Sequence, residues 1–298
     1  MYMAETILVT GATGNVGSEV VKQLSNHIKN IRIKAGGRSR ENAKKVVNFD
    51  SVEYTPIDYY KPETIKEALK SADSVFLVTP FQFDMVEFTS NILKEATKND
   101  VKFIVMLSSL LAADLEHENT VGRLHRQEEK IIEESGIPYI ILRPNAFMQN
   151  FLNFFGHTIK TQNAFYLPAG DQRVSFIDTR DIASVAVHEL TRDGIRHGNE
   201  NAIISITGQE ALSFGQAAGI ITSELGRKVS YINISEEDAR KQMRDMGMGD
   251  WLSDAMVEQF RSIRAGFASQ TTDLVEQITE RKPISFSQFV KDYVHAFN

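Results

Sequence analysis

A β-branched apolar run, Thr6-Ile-Leu-Val-Thr10, leads straight into three glycines spaced three apart, Gly11-Ala-Thr-Gly14-Asn-Val-Gly17. Behind them Val16, Val20, Val21 and Leu24 recur at helical spacing. A strand, a tight turn and a helix in this order suit a diphosphate. Gly11 turns sharply without a Cβ, Gly14 lets the backbone approach a pyrophosphate, and Gly17 lets the helix sit close to the strand. Thr13, Asn15 and Val16 complete the expected cradle, where free N–H groups and the positive end of the helix dipole face the anion. The spacing is not the commoner G-x-G-x-x-G, so a ligand-free turn is the plainer alternative. A nucleoside-triphosphate loop is not expected, because no Gly-Lys-Ser/Thr ends the motif.

The alternation continues down the chain. Strands are expected at Ile31–Ala35, Val52–Ile57, Ser74–Thr79, Lys102–Leu107 and Tyr139–Leu142, with helices at Pro62–Lys70, Met85–Lys98 and Gly122–Ser135. Repeated strand–helix units predict an α/β chain, an NAD(P)-binding Rossmann fold with a doubly wound parallel sheet. Short strands at Phe165–Pro168 and Val174–Ile177, a helix from Asp178 to Leu190 and a last core strand at Ala202–Thr207 follow. From Gly208 the chain turns to polar helices at Ser213–Gly226, Glu236–Gly247, Asp250–Gly266 and from Ser285. These form a small, mainly helical C-terminal lobe. The expected division is residues 1–150 as the dinucleotide-binding core, and 151–298 as the remaining core elements (174–207) plus the lobe.

In an open parallel sheet ligands bind outside the carboxyl ends of the strands. The second strand ends in Gly36-Gly37-Arg38-Ser39-Arg40. An acid there would bind the adenosine 2′-hydroxyl. Arg38 instead offers a fork of donors suited to a 2′-phosphate, which predicts NADP, with NADPH preferred over NADH. Asp58 ends the third strand, where an acid can accept from the adenine amino group. Thr79, Pro80 and Phe81 end the fourth, and Ser108 and Ser109 the fifth, all beside the nicotinamide half of the cofactor; Asn145 follows the sixth. Phe83, Leu110, Phe147, Met148, Phe151 and the single tryptophan, Trp251, are candidate walls of a flat apolar substrate pocket. Core packing is the alternative for each aromatic residue.

Composition narrows the field. Among 298 residues there are no cysteines, which excludes disulfides, thiolate nucleophiles and cysteine-based metal or redox sites. No metal site is expected. A net charge of −6 gives no nucleic-acid footprint. No apolar run approaches the ~20 residues of a membrane helix. The start of the chain passes directly into the first strand, which leaves no room for a signal peptide, so a cytoplasmic protein is expected.

Taken together, Gly11–Gly17, Arg38, Leu142-Arg-Pro-Asn-Ala-Phe-Met148, Asp178-Thr-Arg-Asp-Ile182, Ile206-Thr-Gly208 and Ile263-Arg-Ala-Gly266 resemble the NmrA-like group of atypical short-chain dehydrogenases/reductases over almost the full length. The resemblance implies strand order 3-2-1-4-5-6-7 and a lobe over the cleft. It also implies one of two fates. One is an NADPH-dependent oxidoreductase of a flat apolar acceptor, such as a quinone or a triphenylmethane dye. The other is a non-catalytic redox sensor that docks a protein partner. The compact chain favours the enzyme, with a small-molecule acceptor as its partner and a homodimer left open.

Short-chain dehydrogenases usually protonate the reacting oxygen with a Tyr-x-x-x-Lys pair on the helix after the fifth strand, and this chain has none there. Isoflavone-reductase-like relatives carry a lysine eleven residues before the Gly-Ile-Pro that closes this helix; here that position is His125. Glu129 lies one turn later. His125 is the expected ribose anchor and proton donor, with Glu129 as its partner. A surface His–Glu pair is the alternative. Without the Tyr/Lys pair, alcohol dehydrogenation is disfavoured. Quinone reduction is not, because it needs orientation more than a strong acid.

Overall fold

A computed structural model describes residues 5–27, 31–43, 46, 51–117, 119–191 and 201–298. The chain forms two compact units that interleave along the sequence: residues 1–108, 124–143 and 182–204 in the first, and 109–123, 144–181 and 205–298 in the second.

The first unit is built on β1 (Glu5–Val9), α1 (Asn15–His27), β2 (Ile31–Gly37), α2 (Arg40–Ala43), β3 (Val52–Pro56), α3 (Pro62–Leu69), β4 (Ser74–Leu77), α4 (Met85–Lys98), β5 (Phe103–Leu107), α5 (Thr120–Glu133) and β6 (Tyr139–Pro144). Its sheet has seven strands in the order β3-β2-β1-β4-β5-β6-β9, where β9 is Ala202–Ile206. The ladders from β3 across to β6 are parallel, with Ile7 opposite Ile33 and Val105 opposite Ile140. The expected doubly wound parallel sheet is therefore present. β4 and β5 are buried throughout, which is why they read as unbroken apolar runs. α4 lays Phe88, Ile92, Leu93 and Ala96 against the core at 3.6-residue spacing.

In the second unit α6 (Asn150–Asn153), α7 (Gly156–Gln162), β7 (Ala164–Leu167) and β8 (Arg173–Val174) precede α8 (Thr179–Thr191). After β9 come β10 (Leu212–Ser213), α9 (Phe214–Leu225), β11 (Ser230–Asn233), α10 (Glu236–Asp245), α11 (Asp250–Arg264), α12 (Leu274–Thr279), α13 (Phe286–Asp292) and α14 (Val294–Phe297). Helix ends follow local chemistry. Ser213 and Gln216 form a capping box, and Gly226 closes α9 in the left-handed region. Ser235 and Ser285 cap α10 and α13. The expected strand at 174–177 shrinks to β8 plus a single bridge from Ile177 to Phe147.

α10 and α11 are locked by Glu236, which accepts from Arg261 (2.8 Å) and Arg264 (2.5 Å). Those hydrogen bonds, Arg261 first, hold its carboxyl down at about 2. A depressed carboxyl contributes stability above its unfolded value, and that contribution is lost as pH falls towards the folded one. Glu236→Gln is expected to cost about 1 kcal/mol at neutral pH, given its partial exposure. Urea unfolding of the two proteins should converge as pH falls from the ordinary carboxylate range towards 2. A gap that stays constant with pH would contradict the pairing.

Candidate functional site

The glycine turn has the geometry its spacing requires. Gly11 sits at φ +58, and a Cβ on Gly17 would lie 2.2 Å from the Gly11 carbonyl oxygen. The Gly14 N–H donates to the Gly11 carbonyl at 2.9 Å, and the Ala12 N–H to the Gly36 carbonyl at 3.0 Å. Thr10 pins the turn to the end of β4: its hydroxyl donates to the Val78 carbonyl at 2.9 Å and accepts the Val78 N–H at 2.7 Å. Thr13, Gly14 and Asn15 are exposed at the mouth of the turn, while Val16 and Gly17 are buried against β1.

Arg38 follows β2 directly. It is exposed and makes no ion pair with any described residue. Asp58 follows β3; its Oδ1 accepts the Tyr60 N–H at 3.1 Å and its other oxygen meets Lys61 at 3.5 Å. The next residue, Tyr59, is not among the sequence candidates. Its hydroxyl donates to the Val78 carbonyl at 2.6 Å and its ring stacks on Phe88. Burial, against a weaker lowering by the Thr10 hydroxyl, pushes the phenol up to about 12, so Tyr59 stays neutral.

Thr79, Pro80 and Phe81 follow β4, and Ser108 follows β5; Thr79 and Ser108 are buried. Here the structure supplies what the sequence did not, a network of two wholly buried carboxylates on α5. Glu128 accepts the hydroxyls of Thr79 and Thr89, each at 2.6 Å, on Oε1, and faces His125 Nδ1 at 3.1 Å with Oε2. Glu129 accepts from Ser108 (2.6 Å), from Arg143 Nε (2.7 Å) and Nη2 (2.5 Å), and from Arg126 (3.0 Å). The expected His125–Glu129 pair is thus corrected to His125–Glu128. Both acids neighbour His125 on the helix, but Ser108 and Arg143 draw Glu129 under α5 towards the sheet. Burial opposes its ionisation, yet the hydrogen bonds from Arg143 and Ser108 outweigh it and hold the Glu129 carboxyl below its usual range.

With Glu128 taking Nδ1, the Nε2 of His125 has no partner among the described residues, and the side chain keeps 14% of its exposure. The Phe81 ring stacks over the imidazole at 6.4 Å, 22° from parallel. Phe83, two residues on, is 75% exposed.

The remaining sequence candidates belong to the second unit, and several take other roles. Ser109 caps the short helical turn that begins at Leu110, accepting the Leu111 N–H. Asn145 is not available to a cofactor. Its amide donates to Ser175 Oγ (2.7 Å) and the Ala268 carbonyl (2.8 Å), and its oxygen accepts the Ala146 N–H (2.8 Å). Met148 and Phe151 are core residues, 1% and 0% exposed, and not pocket walls; Phe151 packs edge-on against Phe286 at 4.8 Å. Leu110 and Phe147 stay partly exposed, and Trp251 sits in the first turn of α11.

The sequence profile of the NmrA-like family matches residues 3–290. The chain belongs to the NmrA-like family. It is 35% identical over 291 residues to an NAD(P)H azoreductase of Xenophilus azovorans, with 98% of this chain and 99% of the relative covered. An NADPH-dependent quinone oxidoreductase of Escherichia coli, crystallised with NADPH, shares the fold at TM-score 0.84 and 23% identity, covering 98% and 100% of the two chains. Triphenylmethane reductase of Citrobacter sp., crystallised with NADP(H), does so at TM-score 0.83 and 24% identity, covering 96% and 99%. Among the described residues of this NmrA-like chain, no group of three or more histidines, aspartates and glutamates could hold a metal ion. No helix of them is long and apolar enough to cross a membrane.

Proposed function

We propose that this NmrA-like protein is a cytoplasmic NADPH-dependent oxidoreductase that reduces a flat apolar acceptor of the quinone or dye class. The observation that carries the reading is the His125–Glu128 pair under Phe81, in the same unit as the glycine turn and Arg38. The residues present fit a phosphorylated dinucleotide. A Cβ-free passage at Gly17 brings the helix onto the turn, Thr13 and Asn15 are exposed at its mouth, and the Arg38 guanidinium, with no ion pair among the described residues, follows β2. When bound, the nicotinamide supplies the hydride.

The chain's own groups do the rest. Glu128 takes the Nδ1–H of the imidazole and leaves Nε2 to accept from a ribose hydroxyl or, when the ring is protonated on both nitrogens, to deliver the Nε2 proton and revert to the neutral ring. Thr79 and Thr89 hold Glu128 so that the pair cannot swing. Phe81 gives the pair a flat apolar neighbour that excludes water and suits a planar acceptor.

Steady-state oxidation of NADPH across a panel of small quinones and azo dyes tests the proposal. Turnover with at least one acceptor is expected. Tight NADPH binding with no turnover across the panel would overturn it in favour of a sensor. Within an active panel, His125→Ala should lower kcat about tenfold, less than a full general acid contributes, because quinone reduction depends mainly on orientation. An unchanged kcat and an unchanged NADPH affinity would remove His125 from the mechanism.

A further inference from the structure

One feature of the second unit has no part in the cofactor site. A cavity of about 410 Å³ opens between the segment 154–167 and the α10–α11 pair, lined entirely by residues of that unit. Its volume falls in the range of small-molecule pockets, roughly 300–1,000 Å³. Four of the chain's nine methionines, Met243, Met246, Met248 and Met256, line it. Of the other five, Met85, Met106 and Met148 are core residues, and Met1 and Met3 fall outside the described residues. Methionine is flexible and polarisable and makes favourable sulfur–aromatic contacts, so such a wall adapts to aromatic ligands of differing outline. Phe154, Phe155, Leu167 and Phe260 add to the apolar surface.

Two observations argue for a ligand site over a packing defect. Phe154 and Met246, among the few large apolar side chains exposed to solvent at 41% and 65%, both stand on this cavity. Tyr166, His157, Gln162 and Gln242 line it with polar side chains that bond to no described residue. The turn from α10 to α11 carries Met246 and Met248 and is fixed by the Met248 N–H on the Met243 carbonyl at 3.0 Å. The only charged lining residue, Asp245, is already paired with Lys241 at 3.0 Å, so nothing there selects for a charged ligand.

We propose that this cavity is a second small-molecule site, taking an uncharged aromatic compound of two or three rings with polar atoms at its edge. The test uses the full chain saturated with NADPH and the probe N-phenyl-1-naphthylamine, whose fluorescence rises in apolar surroundings. This probe offers no quinone or dye centre to reduce, so its binding succeeds or fails independently of the proposed reductase activity. One-site saturable binding is expected. With methyl-¹³C methionine, the signals of Met243, Met246, Met248 and Met256 should shift while those of Met85, Met106 and Met148 stay in place. Met246→Asp puts a carboxylate on the wall from an exposed position that the fold tolerates, and should weaken binding about tenfold or more. Met256→Trp fills the cavity and should abolish binding. Absence of saturable binding, shifts confined to other methionines, or full-strength binding by Met246→Asp would each overturn the proposal.

Discussion

Arg143→Ala is expected to destabilise the protein by about 3–5 kcal/mol in urea unfolding, the cost of leaving a buried charge without its partner. Glu129 is fully buried, and Arg143 grips both of its oxygens from the end of β6. Arg126, 42% exposed and shared with Glu133, cannot replace that grip. Because Ser108 also donates to Glu129, the cluster ties β5, α5 and β6 together and fixes the rotation of α5, on which His125 rides. The double variant Arg143→Met with Glu129→Leu removes both charges and should recover much of the loss. In the wild type the Glu129 contribution is present above the ordinary carboxylate range and is lost as pH falls through its depressed value. A loss under about 1 kcal/mol for Arg143→Ala, the value of an exposed pair, would show that the cluster is not a lock.

Arg38→Asp should reverse the cofactor preference, with the ratio of kcat/KM for NADPH over NADH falling about 10³-fold. Two terms combine. Losing charge-assisted hydrogen bonds to a 2′-phosphate costs roughly 1.5–3 kcal/mol each, and the new carboxylate repels the phosphate while accepting from a 2′-hydroxyl. The position is open to this exchange because Arg38 is exposed and holds no described partner that the substitution would strand. An unchanged ratio, measured with either acceptor class, would move the phosphate contact elsewhere on the turn.

The strand ends were readable because local rules fix them. Gly11, Arg38, Asp58, Thr79 and Ser108 each end or follow an apolar run, and a parallel sheet brings such positions to one edge. The starts expected at Ser213, Glu236 and Ser285 lie within a residue of where α9, α10 and α13 begin, and a serine caps each of these helices. What failed depended on partners distant in sequence. Nothing local tells whether Glu128 or Glu129 meets His125; Arg143 and Ser108 decide it from other strands. Met148 and Phe151 looked like pocket walls because their segment leaves the sheet edge. Both belong to one buried apolar cluster, and Phe151 packs there against Phe286, more than a hundred residues on, and against Phe165 and Phe176. β11 lies between two expected helices where no strand is expected, and it pairs in parallel with β7. Asn145 has the right residue type for a cofactor contact, but the carbonyl at Ala268 takes its amide.

The reductase reading stands or falls on whether hydride leaves NADPH for the acceptor on this protein. Transfer to a triphenylmethane dye leaves the label on carbon, where solvent does not exchange it. Purified protein, NADPH deuterated at the transferring C4 position and an equimolar dye, allowed a single turnover, give the decisive product for mass spectrometry. One deuterium per molecule of colourless product is the expected result. Dye and NADPH both recovered unchanged, with no hydride passed to any quinone or azo dye of the panel and the cofactor still tightly bound, would contradict the account.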